Sequence, residues 1–176
     1  MLFPRYVIVV MLLMLTGCKD LNPSSEDKRQ DVECGISGPG VCQTAPDFSL
    51  FDTLSNPVTM SAELVGADGI VLYFTMWCPQ CNQEVDDMIA DVIPNFPNVK
   101  FFLIDYVSGT ITQAYITQNS YGYDSLTVLV DDIKHVYELY NAAMGTTVVI
   151  DNAGIVQMNE TYKDGSKLLN TLNALP

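Results

Sequence analysis

Two cysteines separated by two residues, Cys78-Pro79-Gln80-Cys81, are the part of this 176-residue chain best equipped for chemistry. They follow an apolar, β-prone run, Ile70-Val71-Leu72-Tyr73-Phe74, and precede Val85, Met88, Ile89 and Val92, which recur at helical spacing. At a helix start, two thiols three positions apart can close a small disulfide ring or open to a dithiol with little backbone change. The first sulfur then lies beside unsatisfied backbone N–H groups at the positive end of the helix dipole, which favours its thiolate. Pro79 suits the first helical turn, where its missing N–H would go unused. Cys81, deeper in the helix, is the natural resolving thiol. Zinc is the competing use of a C-x-x-C pair, but no second such pair exists and His135 is the one histidine. Redox chemistry leads, with the disulfide itself as the active group and neither a metal nor a further cofactor expected.

The elements that must hold this pair can be read from pattern. Residues 47–52 alternate like a half-buried strand, and Ser55-Asn56-Pro57 turns it into a short partner at Val58-Thr59. Ser61 is placed to cap a brief helix through Val65. The run at residues 70–74 suggests a central strand buried on both faces. Pro94 and Pro97 stop the helix that follows the cysteines. Residues 99–104 and 126–130 read as strands, and residues 111–118 and 133–140 as helices. Residues 146–150 and 155–158 form a hairpin around Asp151-Asn152-Ala153-Gly154, and residues 166–175 close the chain as an amphipathic helix. Alternating strands and helices with a terminal hairpin indicate a layered α/β domain with a mixed sheet, over residues 45–176.

Composition narrows the partners. With 21 Asp+Glu against 8 Lys+Arg, the net charge is −13, and such a surface repels nucleic-acid phosphates. A hydrophobic content of 48% supports one core and excludes disorder throughout.

The N-terminal residues read as an address. One positive charge precedes a ten-residue apolar run, Tyr6 to Leu15, too short to span a bilayer and suited to a secretory signal at residues 1–17. Leu15-Thr16-Gly17-Cys18 resembles the lipobox of bacterial lipoproteins. That resemblance implies cleavage before Cys18, lipidation of Cys18, and a domain held outside the cytoplasm on a membrane, facing the periplasm or the extracellular side. Residues 18–44 then read as a flexible tether. Within it, Cys34 and Cys42 bracket Gly35, Gly38, Pro39 and Gly40. They can form a local structural disulfide or a second redox pair that exchanges electrons with the first.

From Ala45 onward the chain resembles the thioredoxin superfamily, in particular the membrane-anchored TlpA/ResA-like thiol–disulfide oxidoreductases. The likeness rests on Ala45-Pro46-Asp47-Phe48, on the segment from Phe74 to Cys81, on residues 126–140, and on Gly145-Thr146-Thr147-Val148-Val149-Ile150-Asp151. It implies a thioredoxin-like fold with an N-terminal hairpin extension. It also implies Cys78 and Cys81 as the exchanging pair, and a substrate groove that includes Trp77, Pro79, Gly145 and Thr146. Glu84 falls where relatives carry a glutamate that tunes the thiols; from its own surroundings it reads equally well as an exposed helix acid beside Asp86 and Asp87. The departure is Gly145, where relatives place a cis-proline. A cis bond without proline costs about 2.5–4 kcal/mol, so a trans glycine with another backbone shape is expected. Implied partners are thiol proteins outside the cytoplasm, apocytochromes among them, and a membrane electron donor.

Two other uses of the same cysteines compete. Thr75, three residues before Cys78, fits a thiol peroxidase of the AhpC/TSA type, yet Val71 stands where that motif has proline. Such enzymes need a guanidinium, and the only arginines are Arg5 and Arg29. The other use is Cu(I) binding by Cys78 and Cys81, with Met144 or Met76 as a soft third ligand. His135 falls within a helical pattern and reads as a solvated residue. The acids after Cys78 disfavour a thiolate, so only a modestly lowered Cys78 pKa and a reducing protein are expected.

Overall fold

A computed structural model describes residues Val32–Pro176. The signal segment, Cys18 and the tether as far as residue 31 lie outside the described residues.

Seven strands form one mixed sheet: β1 (Ser49–Asp52), β2 (Pro57–Thr59), β3 (Gly69–Thr75), β4 (Val99–Asp105), β5 (Thr127–Val130), β6 (Thr146–Asp151) and β7 (Val156–Thr161). Their order across the sheet is β2-β1-β5-β4-β3-β6-β7. β3 runs parallel to β4 and antiparallel to β6, and β4 runs parallel to β5. The remaining neighbours are antiparallel. Every residue of β3 is buried, as its unbroken apolar run requires. Strand alternation sends Ile70, Leu72 and Phe74 to one core, with Ile104, Leu129, Tyr140 and Val148. Val71 and Tyr73 go to the other, with Trp77, Cys81, Val85, Met158 and Leu168.

The helices are α1 (Met60–Glu63), α2 (Pro79–Asp87), α3 (Ile111–Tyr121), α4 (His135–Leu139) and α5 (Ser166–Asn173). α2 does not run unbroken to the prolines. It passes into one π-helical turn at Met88–Val92 and a 3-10 turn at Ile93–Asn95, where Pro94 removes a donor from the ladder. α3 ends at Gly122, which takes the left-handed conformation of a helix C-cap. The cap expected of Ser61 is absent: Ser61 lies inside α1, and Asp47 accepts both its backbone N–H and its hydroxyl. His135 opens α4 and is exposed, as expected. Among the described residues, no helix is long and apolar enough to cross a membrane.

The reading of residues 18–44 as a tether fails for its last part. Cys34 and Cys42 are joined by a disulfide. Beyond it the chain lies along β7: Cys42 N–H donates to Val156 O at 2.8 Å, and Val156 N–H donates to Gln43 O at 2.9 Å. Asn159 Nδ2 donates to Pro39 O at 2.9 Å, and Gln43 is buried with its carboxamide on Gly40 N–H and Glu33 O. The glycine- and proline-rich spacing suggested a free loop because the sheet edge that receives it comes from residues more than a hundred positions away.

The docking point also bears on the second disulfide. Val156 is five residues from Thr161, which pairs with Thr146 at the end of β7 nearest Gly145. At ~3.3 Å per residue the point where Cys42 docks lies about 17 Å along β7 from that end, which suits a structural role for the ring. Replacing Cys34 and Cys42 together by serine is therefore expected to cost about 2–3 kcal/mol of unfolding free energy, the loop-closure value for so short a ring. Denaturant unfolding measures this, and exchange at Cys78–Cys81 should continue in the variant. Loss of that exchange with unchanged stability would identify a relay instead.

Candidate active site

β3 ends at Thr75, and the chain must turn within two residues to start α2. Trp77 makes the turn in the left-handed region, at φ +60°, where a bulky L-residue is strained. Three contacts hold it there. Its N–H donates to Thr75 Oγ1 at 3.1 Å, and Tyr121 OH donates to its carbonyl at 3.2 Å. Its indole stacks on Tyr121 with ring planes 4° apart, and Tyr123 stacks alongside. Tyr123 OH in turn donates to Asn82 O at 3.0 Å, tying the stack to α2. Burial, then the carboxylate of Asp86, pushes that phenol above the usual tyrosine range, so it stays a donor. The Trp77 indole N–H is buried without a partner among the described residues.

Cys78 follows in extended conformation and is itself the N-cap of α2, with Pro79 exposed at the first helical position. Its Sγ accepts the Cys81 backbone N–H at 3.1 Å, where a capping oxygen would normally sit. The sulfur thus occupies the positive end of the helix, as the spacing implied. Cys78 and Cys81 are joined by a disulfide. Cys78 is half-buried and Cys81 is 1% exposed, so the first sulfur is the more accessible of the two.

The turn before β6 faces this pair. Met144 Sδ lies 3.5 Å from Cys78 Sγ. Met76, the other candidate soft ligand, is exposed one residue before Trp77. Gly145 is buried at φ +74°, and no peptide bond among the described residues is cis. Its N–H donates to Phe74 O at 3.0 Å and its carbonyl accepts Tyr162 N–H at 2.7 Å. The Thr146 side chain is buried, and its hydroxyl accepts Ala143 N–H at 2.8 Å and closes the turn.

Glu84 is not an exposed helix acid. It is 6% exposed, with Tyr73 OH donating to Oε2 at 2.5 Å and Gln80 Nε2 donating to Oε1 at 3.0 Å. Asp86 and Asp87 are exposed. Tyr162 packs edge-on against Tyr73, and burial followed by Asp87 and Glu84 pushes its hydroxyl up to about 12. The sequence reading passed over Tyr73, Tyr121 and Tyr123. Tyr73 was absorbed in an apolar run, although a phenol on a strand buried on both faces has to find a partner. Asp131 and Asp132 are not an acid/base couple: Asp132 is exposed, and Asp131 accepts Tyr137 N–H at 2.7 Å. No cluster of three or more His, Cys, Asp or Glu poised for a metal occurs among the described residues.

The model of the AhpC/TSA family matches residues 41–159, beginning on the Cys34–Cys42 ring that docks against β7. A thioredoxin-like protein, YneN, of Bacillus subtilis is 24% identical over 154 residues, 87% of each chain. Among solved structures, the peroxidoxin BcpB of Mycobacterium tuberculosis superposes with a TM-score of 0.61 at 24% identity, over 76% of this chain and 96% of that one. A secreted disulfide oxidoreductase of M. tuberculosis, homologous to E. coli DsbE, gives 0.57 at 23% identity, over 73% and 96%. These likenesses establish the thioredoxin-like fold expected from the sequence.

The unequal burial of the two sulfurs has a direct readout. After reduction, iodoacetamide should modify Cys78 at least about tenfold faster than Cys81, followed by peptide mass mapping. Equal rates would mean that Cys81 is as accessible as its neighbour.

Proposed function

The chain belongs to the AhpC/TSA family, and on that premise we propose that it is a thiol–disulfide oxidoreductase in which Cys78 attacks and Cys81 resolves. One observation carries the reading: a half-buried sulfur capping a helix, bonded to a buried sulfur one turn along. Such a pair stores two electrons as two thiols and returns them by closing its ring. Partner attack reaches Cys78, while burial reserves Cys81 for the internal step.

We assign the reducing direction. Apart from Glu84, the acids that follow Cys78 are exposed and add negative potential near its thiolate, and the chain carries net charge −13. A strong oxidant stabilises its reduced thiolate, and these charges oppose that. The same surface suits neutral or basic partners, thiol proteins outside the cytoplasm with apocytochromes among them, supplied by a membrane electron donor. The lipobox-like Cys18 supports a lipid-anchored position at a bacterial membrane, and the secreted character of the DsbE-homologous neighbour fits an extracytoplasmic domain.

Family membership alone would equally admit peroxide reduction. The residues favour exchange. Polarising an O–O bond calls for a positioned cation, and both arginines lie outside the described residues, at positions 5 and 29. Thr75, which fitted the peroxidase pattern, has its hydroxyl accepting Trp77 N–H. A second reading, Cu(I) binding by the reduced pair, is favoured by one contact, the Met144 sulfur beside Cys78.

A redox titration of the domain in metal-free buffer, followed by Trp77 fluorescence and mass-resolved alkylation, decides the direction. The expected Cys78–Cys81 midpoint is about −270 mV or lower. A midpoint near about −120 mV would make the protein a disulfide donor.

A further inference from the structure

Resolution of a mixed disulfide poses a proton problem that burial makes acute. With Cys78 joined to a partner, the Cys81 thiol must lose its proton before its sulfur can attack. Cys81 is almost wholly withdrawn from water. Residues three apart on a helix are neighbours, and three beyond Cys81 stands Glu84, a buried carboxylate on the same helix. Its two oxygens are each held by a different donor, Tyr73 OH and Gln80 Nε2. Gln80 is an exposed side chain of α2 itself. Tyr73 belongs to a strand paired on both sides and is as buried as Cys81, so it ties the carboxylate to the interior of the sheet.

Two further features fit this arrangement. Glu84 from α2 and Tyr162 just after β7 lie against Tyr73, and Tyr106 just after β4 acts on it through space. Burial first, then Glu84, pushes the Tyr73 hydroxyl far above the usual tyrosine value, so it keeps its proton wherever exchange runs. Gly145 covers the pair from the β6 side. A Cβ there would lie 3.2 Å from Glu84 Oε2 and 3.9 Å from Tyr73 OH, and the residue's positive φ disfavours any side chain. A larger residue would press the carboxylate away from the tyrosine.

We propose that Tyr73 is a positioning residue for the resolving step, its hydroxyl holding Glu84 where the carboxylate receives the Cys81 proton, with Gly145 keeping that space open. The inference rests on the exchange reading above. The Cys81 S–H bond breaks and its proton passes to Glu84. The Cys81 sulfur then forms a bond to Cys78 as the bond from Cys78 to the partner sulfur breaks. The partner leaves as a thiolate and takes up one proton, reduced overall by two electrons, while Cys78–Cys81 is oxidised to the disulfide.

The reaction of reduced protein with 5,5′-dithiobis(2-nitrobenzoate) separates the steps by stopped flow. The first release of 2-nitro-5-thiobenzoate reports attack by Cys78, and the second reports resolution by Cys81. Tyr73→Phe is expected to slow the second phase about tenfold more than the first, and to shift the pH profile of the second phase. Added to Glu84→Gln, it should change the second phase less than about twofold further. Factors that multiply in the double variant, or an equal slowing of both phases at every pH, would overturn the inference and assign Tyr73 a packing role. Should Tyr73→Phe fail to fold, Gly145→Ala carries the same test, with selective slowing of the second phase supporting the inference and equal slowing overturning it. Failure of the exchange reading itself looks different: wild-type protein would show no second release.

Discussion

The Cys81 backbone N–H bonded to the Cys78 sulfur depends on how β3 terminates. A helix has unsatisfied N–H groups at its first turn, and here a sulfur meets one of them. That arrangement exists only if Cys78 stands at the N-cap, so the chain must leave a strand buried on both faces and reverse within two residues. Trp77 supplies the reversal from a strained conformation costing about 1–3 kcal/mol. Thr75, Tyr121 and Tyr123 hold it in place. The reactive sulfur is thus positioned by the sheet below it and by aromatic packing beside it.

Around that sulfur, separate parts of the chain contribute separate functions. α2 and its N-cap provide the two cysteines, and α2 the buried carboxylate. The turn before β6 brings a thioether against Cys78 and a glycine over Glu84. β3 provides the phenol that fixes the carboxylate. Gly145 itself is a left-handed trans glycine whose N–H and carbonyl are both bonded within the domain. The AhpC/TSA model spans most of the domain, and the described residues, Val32–Pro176, include no arginine.

Much of this was legible beforehand because it is local. The apolar run of β3, the helical spacing after Cys78, and the turn at residues 151–154 each carry their own signal. So does the C-x-x-C pair, whose geometry follows from the helix that contains it. What sequence reading missed depends on distant partners. Residues 34–44 looked like a tether because their composition is polar and glycine-rich, while their hydrogen bonds go to β7. Ser61 looked like a cap, and Asp47, fourteen positions away, claims it. Glu84 stood undecided between two roles, and its burial against Tyr73 shows only when strand and helix are brought together.

The division of labour between the two sulfurs is tested most directly by trapping. Cys81→Ser protein, with Cys78 reduced, would be mixed with a disulfide-bonded peptide and its intact mass followed. The account predicts a stable one-to-one adduct on Cys78, with no such adduct accumulating in wild-type protein, where Cys81 resolves it. Failure of Cys78 to form an adduct, or equal accumulation in the wild type, would contradict it.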